Sequence, residues 1–242
     1  MDQLIVALDV ETTRDALALA DELRGVAGAY KVGNRLFTSE GPAMVRGLTE
    51  RGSRVFLDLK FHDIPNTVAT AVAAATALRV WMVNVHAAGG MKMMRAARDA
   101  AQEAAARAGI PRPLVIAVTV LTSIDAVTLQ QTGVDREILD QVPRLAELTQ
   151  VAGLDGVVAS PRETPLVRQR CGPDFTIVTP GIRGGAASTG KDDQERTMSA
   201  GEALAAGASY LVVGRPIIAA ADPRMAAEAI AREAEEGVVR GK

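Results

Sequence analysis

The chain has 242 residues, 48% of them hydrophobic and 23% charged, which is enough apolar material for the core of one large globular domain. A net charge of −2 offers no basic surface to nucleic acid or to an anionic membrane, so any anionic ligand has to be met by a few placed cations. The single Cys171 cannot close an intramolecular disulfide, and aromatics at 3% are too sparse for stacking platforms along single-stranded nucleic acid. The opening Met1-Asp2-Gln3-Leu4 lacks the basic segment and apolar stretch of a leader, and a cytoplasmic protein is expected.

Short apolar, β-branched runs alternate with longer alanine-rich stretches throughout. Strands are expected at residues 4–8, 30–33, 55–59, 81–85, 114–120, 156–159, 176–178 and 210–213. Helical patterns fall between them at 14–23, 41–50, 65–78, 91–108, 142–152, 161–169, 200–206 and 223–235. Strand-helix repetition means parallel strands joined by crossover helices. Eight beats over this length match an α/β chain folded as a (β/α)8 TIM barrel, whose usual size is about 250 residues. A doubly wound open sheet is the alternative, but no G-x-G-x-x-G follows the first strand, where the chain reads Ala7-Leu8-Asp9-Val10-Glu11-Thr12. The uncharged run 64–78 is mostly Ala and Thr, contains Pro65 near its start and is cut by Arg79, which predicts a packed helix and not a membrane span. No linker or composition shift divides the chain, so a single domain over 1–242 is expected. The least regular stretch, 181–193, is rich in Gly, Ala and Ser and reads as a mobile loop.

In such barrels the catalytic groups sit at the C-terminal ends of the strands and on the loops that follow. The first strand delivers Asp9 there and the second Lys31. The third runs Phe56-Leu57-Asp58-Leu59-Lys60-Phe61-His62-Asp63. Side chains two apart on a strand share a face, so Asp58 and Lys60 project together while Leu57, Leu59 and Phe61 pack the other way. With Asp63 on the turn beyond, two carboxylates flank one lysine, an arrangement that favours the ammonium form. The fourth strand ends Asn84-Val85-His86, and the fifth in Val120-Leu121-Thr122-Ser123, whose hydroxyls suit the polar edge of a ring. Thr179-Pro180-Gly181-Ile182-Arg183 ends the seventh and opens a loop carrying Gln194, which could close over a phosphate. After the eighth, Gly214-Arg215 presents a backbone amide and a guanidinium at the usual barrel phosphate position.

Each of these has a plainer reading. Asp9 can cap the helix beginning near Thr12 and Thr13, Lys31 can be a solvated strand end, and Asp58 with Lys60 can be a structural ion pair. His86 can hydrogen-bond within the barrel mouth, His62 can be structural, and Arg215 can sit in a surface ion pair. The matching positions of Asp9, Lys31, Asp58, Lys60 and Asp63 favour one charged array in a cleft. No metal site is expected, because the chain has neither HExxH nor CxxC and its two histidines are far apart in sequence. Schiff-base chemistry wants a lysine beside a cation or in an apolar pocket, whereas Lys60 lies between carboxylates, so proton donation is the better role.

The segments Ala7-Leu8-Asp9, Lys31-Val32-Gly33, residues 58–67, residues 118–123, Thr179-Pro180-Gly181-Ile182-Arg183 and Val213-Gly214-Arg215-Pro216 together resemble the orotidine 5′-monophosphate decarboxylases of bacterial type, over essentially the whole chain. The D-x-K-x-x-D core is shared with related barrel decarboxylases of sugar phosphates; Ile64-Pro65-Asn66-Thr67 and the Thr-Pro-Gly-Ile-Arg segment are more discriminating. The resemblance implies that Lys60 protonates C6 of the pyrimidine as CO₂ leaves, giving UMP in de novo pyrimidine biosynthesis without metal or organic cofactor. It implies that Asp9 and Lys31 bind the ribose hydroxyls, that Asp58 lies against the substrate carboxylate, and that Asp63 and Thr67 are contributed across a homodimer interface. Thr122 and Ser123 would face the pyrimidine, while Arg183, Gln194, Gly214 and Arg215 would serve the nucleotide, chiefly its phosphate. One departure is a slightly longer stretch at 184–193, ahead of Gln194. The rival on the same fold is a metal-dependent sugar-phosphate decarboxylase or epimerase, and a rival of another class is a non-catalytic sensor of a phosphorylated ligand.

Overall fold

The computed structural model describes residues 1–183 and 198–240. Its strands and helices follow one another as β1 Leu4–Ala7, α1 Thr13–Glu22, β2 Ala29–Gly33, α2 Asn34–Thr49, β3 Val55–Phe61, α3 Pro65–Ala77, β4 Met82–His86 and α4 Gly90–Ala108. The second half continues with β5 Leu114–Val118, α5 Ala126–Gln131, α6 Ile138–Val151, β6 Gly156–Val158, α7 Thr164–Cys171 and β7 Thr176–Thr179. It closes with β8 Ile182–Arg183, β9 Met198–Ser199, α8 Ala200–Ala205, β10 Tyr210–Val213, α9 Arg215–Ile218 and α10 Pro223–Arg240. Eight parallel strands close in the order β1-β10-β7-β6-β5-β4-β3-β2, and β8 pairs with β9 outside the ring. The expected (β/α)8 barrel is therefore the observed one.

Strand parity sorts the side chains into two cores. Ile5, Ala29, Phe56, Met82, Ile116 and Val178 meet inside the barrel. Leu4, Val6, Val32, Leu57, Val83, Val115, Val157, Ile177 and Leu211 face outward and pack in the larger core beneath the helices. Burying an apolar side chain of this size is worth about 1.5–3 kcal/mol, and because both faces are buried, slipping any strand by one residue would exchange its two rows and set each in the wrong core. The same parity directs Lys31, Asp58 and Asn84 inward, each two residues beyond an interior plug residue.

Several boundaries differ from expectation for identifiable reasons. β5 ends at Val118 and not at residue 120: at Thr119 the backbone N–H reaches the Val158 carbonyl of β6 only at 3.4 Å, and the Thr119 Oγ1 donates to the same oxygen at 2.9 Å. α2 starts at Asn34, ahead of the expected residue 41, and is two helical pieces joined at Gly41, whose φ of 69° suits glycine and precedes Pro42. α5 was not expected; it is a six-residue helix capped by Asp125, which accepts from Thr128 N at 2.7 Å. Thr12, not Asp9, caps α1, its hydroxyl accepting from Asp15 N at 3.2 Å. That frees Asp9 for other work. Among the described residues no helix is long and apolar enough to cross a membrane.

The N-terminal end of the barrel is closed by self-contained contacts. Arg112 donates two bonds to Asp155, at 2.8 and 2.6 Å, and the same carboxylate accepts from Val115 N at 2.7 Å. Arg54 lies 3.9 Å over the Trp81 ring, which in turn meets Tyr210 edge-on at 5.0 Å.

Candidate active site

At the opposite end, β1, β2 and β3 bring four charges into one alternating chain. Lys60 Nζ donates to Asp58 Oδ1 at 2.7 Å, Lys31 Nζ lies 3.4 Å from Asp58 Oδ2, and the same ammonium lies 3.6 Å from Asp9 Oδ1. Lys31 and Asp58 are the interior members, with side chains 13% and 12% exposed; Lys60 is at 29% and Asp9, at 54%, faces the mouth. Room for this cluster comes from glycine: a Cβ at Gly33 would come within 3.0 Å of Lys31 Nζ, and one at Gly214 within 3.3 Å of Asp9 Oδ2.

Burial works against the charge on Asp58. The ammoniums of Lys31 and Lys60, with hydrogen bonds from Lys60 and Asn84, outweigh it and hold the carboxyl below the usual carboxylate range. The site therefore carries a fixed anion with a cation on either side.

Lys60 is also where the backbone is bent out of the common regions, at φ 53°. A left-handed non-glycine residue costs about 1–2 kcal/mol, and such strain survives only where its surroundings hold it. The β3–β4 ladder shows how it arises. Leu57 pairs with Val83, but Val85 pairs with Phe61, so the register shifts across the stretch that carries Asp58 and Lys60. The Lys60 N–H, displaced from the ladder, donates instead to Asn84 Oδ1 at 2.8 Å. Asn84 Nδ2 donates to Asp58 Oδ1 at 2.7 Å, and the side chain is fully buried. Asn84 was not among the expected site residues. Its signal was present in the sequence as an amide on an inward position of an otherwise apolar strand, two residues before His86.

The remaining expected residues fall into three groups. Asp63 is exposed and its Oδ1 accepts from its own neighbour, Ile64 N, at 2.6 Å, so among the described residues of one chain Lys60 is paired with Asp58 and is not set between Asp58 and Asp63. Thr67 is likewise exposed, on the first turn of α3. Thr122 is half-buried and Ser123 exposed on the turn after β5. Gly214 caps the short α9, and Arg215 is its first, exposed residue, so this helix starts at the strand end where barrels hold phosphate. Arg183 contributes backbone to β8, and Gln194 lies outside the described residues, as does most of the loop expected at 181–193. His86 stacks on His62 with ring centroids 5.3 Å apart. Burial first, then the neighbouring His62 and Lys60, push His86 below the ordinary histidine range.

A closed parallel barrel whose ionisable groups gather at the C-terminal ends of its strands has the build of a barrel enzyme. Comparison with known proteins narrows the class. The family model described as "Orotidine 5'-phosphate decarboxylase / HUMPS family" matches residues 2–230, and the chain belongs to that family. It is 56% identical over 235 residues to an orotidine 5′-phosphate decarboxylase of Moorella thermoacetica, covering 97% of this chain and 92% of that protein. It is 52% identical over 239 residues to one of Syntrophotalea carbinolica, covering 99% and 97%. Among solved structures, orotidine 5′-phosphate decarboxylase from Lactobacillus acidophilus superposes with a TM-score of 0.83 at 37% identity, covering 96% of this chain and 98% of that one. The family resemblance expected from the strand-end motifs is thus borne out.

Proposed function

We propose that the chain, as one cytoplasmic domain, decarboxylates orotidine 5′-monophosphate to UMP and CO₂ in de novo pyrimidine biosynthesis. The C6–carboxylate bond breaks, its electron pair stays on C6, and the Lys60 ammonium supplies the proton that completes the C6–H bond. The carbanion has no π system to spread into, so its stabilisation has to come from fixed charge already in place. The observation that carries this reading is the continuous chain Asp9, Lys31, Asp58, Lys60 at the barrel mouth, in which the ammonium of Lys60 is anchored but still partly open to the mouth.

Asp58 then faces the substrate carboxylate, while Asp9 and Lys31 hold the ribose hydroxyls. Thr122 and Ser123 read the pyrimidine, and Arg183, Gln194, Gly214 and Arg215 hold the phosphate, whose binding far from C6 fixes the ring for reaction. Asp63 and Thr67 complete the site of a second copy in a homodimer. The exposure of both residues, together with Ile64 at 67%, supports a covered surface there. Against the metal-dependent sugar-phosphate rival, the inner carboxylate Asp58 is already engaged by two ammoniums, and among the described residues no three His, Cys, Asp or Glu side chains converge.

The test is the fall in ultraviolet absorbance of orotidine 5′-monophosphate with purified protein in EDTA, with the product identified by mass. Conversion to UMP is expected. A folded protein that leaves the nucleotide untouched and acts on a sugar phosphate once Mg²⁺ is added would overturn the proposal.

A further inference from the structure

We infer that Asn84 is a positioning residue of this site, locking the Asp58 carboxylate and the backbone of Lys60 into one unit so that the proton donor is aimed by the fold and not only by its own flexible stem. The inference rests on the decarboxylase reading and adds to it a residue outside the expected array.

Lysine carries four rotatable side-chain bonds, and a single ion pair does not fix where its nitrogen points. What is fixed here is the origin of that stem. The register shift between β3 and β4 leaves the Lys60 N–H without a ladder partner, and Asn84 Oδ1 takes it at 2.8 Å. The other end of the same amide donates to Asp58 Oδ1 at 2.7 Å, the oxygen that also accepts from Lys60 Nζ. The four groups make a closed circuit: Lys60 backbone, Asn84 amide, Asp58 carboxylate, Lys60 ammonium. The orientation of the amide is set by chemistry, since an N–H can only be met by the carbonyl oxygen and a carboxylate only by the NH₂. Asn84 is fully buried on β4, whose register with β5 is unbroken from Met82 to His86, so the clamp stands on a rigid strand. A misplacement of about 1 Å in a reacting group can cost on the order of 10²-fold in rate, which is the scale a positioning role predicts.

The experiment compares wild type, Asn84→Ala and the nearly isosteric Asn84→Asp for turnover of orotidine 5′-monophosphate, affinity for UMP and thermal unfolding. In Asn84→Ala, kcat and kcat/KM are expected to fall together by about 10²-fold while UMP affinity stays within about threefold, the pattern of an interaction that matters in the transition state. In Asn84→Asp, a carboxylate faces Asp58 at neutral pH, and protonating it restores a donor. The ratio of its kcat to that of wild type should therefore climb as pH is lowered from about 8 to about 5.5. Turnover within about threefold of wild type in both variants would overturn the inference, as would a loss of rate matched by an equal loss of UMP binding, or an Asn84→Asp ratio flat across pH. Wild-type protein that fails to convert the nucleotide at all would instead remove the decarboxylase reading, and this inference with it.

Discussion

The two ends of the barrel use the same kinds of residue to opposite effect. At the N-terminal end, Arg112 and Asp155 form a closed two-bond pair, one cation to one anion, and the carboxylate's spare capacity goes to Val115 N. At the C-terminal end, Asp58 is shared by two lysines, one of them on a strained backbone, and Asp9 holds its lysine only at 3.6 Å. A satisfied pair on relaxed strand ends stabilises the ring and asks nothing of a ligand. An alternating array beside a register shift keeps its charges fixed yet unfinished, with polar groups turned toward an opening. Charge content therefore does not mark the functional end; incomplete mutual satisfaction does, together with a left-handed residue inside the strand that carries the charges, since the left-handed Arg79 lies in the turn after α3 at the other end.

The contrast can be broken most severely at Lys60. Replacing it, Lys60→Ala, should lower kcat for orotidine 5′-monophosphate by about 10³-fold or more while UMP binding remains measurable by calorimetry. With Arg215 in the proposed phosphate-holding role, Arg215→Ala should raise KM by about tenfold to a hundredfold, with a smaller fall in kcat, in steady-state kinetics. In the proposed homodimer, Asp63→Ala and Lys60→Ala chains should each be inactive alone, and mixing them should return up to about a quarter of wild-type activity once subunits exchange, because half the dimers would be hybrids with one intact site. Absence of recovery in a mixture shown to exchange would count against a site shared between two copies.

Acid sharpens the contrast more gently. Asp58 has a folded-state pKa below its ordinary 3.8, so on acidification the unfolded chain takes up the proton first. Its contribution to stability is complete above that ordinary value and is lost as pH falls through the lower folded one. Urea unfolding followed by the lone Trp81 should then show wild type losing more stability than Asp58→Asn between pH about 4 and about 2.

Much of this was legible in the chain. The eight strands stood out because their apolar, β-branched runs are buried on both faces, and strand parity alone paired Asp58 with Lys60 and set them apart from Leu57 and Leu59. Asp9 and Lys31 followed from their places at neighbouring strand ends. What stayed hidden depends on how separate strands meet. The left-handed turn at Lys60 comes from a mismatch between β3 and β4, and neither strand's sequence contains it. Asn84 reads as a lone polar residue until the register sets it against Asp58. The first piece of α2 was missed because, of residues 34–40, only Leu36 is deeply buried, which leaves little periodicity to detect. Asp63 looked like a second anion for Lys60 because adjacency in sequence suggested adjacency in space, whereas the chain turns its carboxylate back onto Ile64 N.

The most direct measurement takes Lys60→Ala and Asp155→Ala side by side and records, for each, turnover per folded molecule and the free energy of unfolding in urea. The expected result is crossed: Lys60→Ala loses about 10³-fold or more in kcat, and Asp155→Ala loses about 2–3 kcal/mol of stability while its folded fraction turns over within about twofold of wild type. Wild-type turnover in Lys60→Ala, or equal losses of rate and stability in both variants, would contradict the division of labour between the two ends of the barrel.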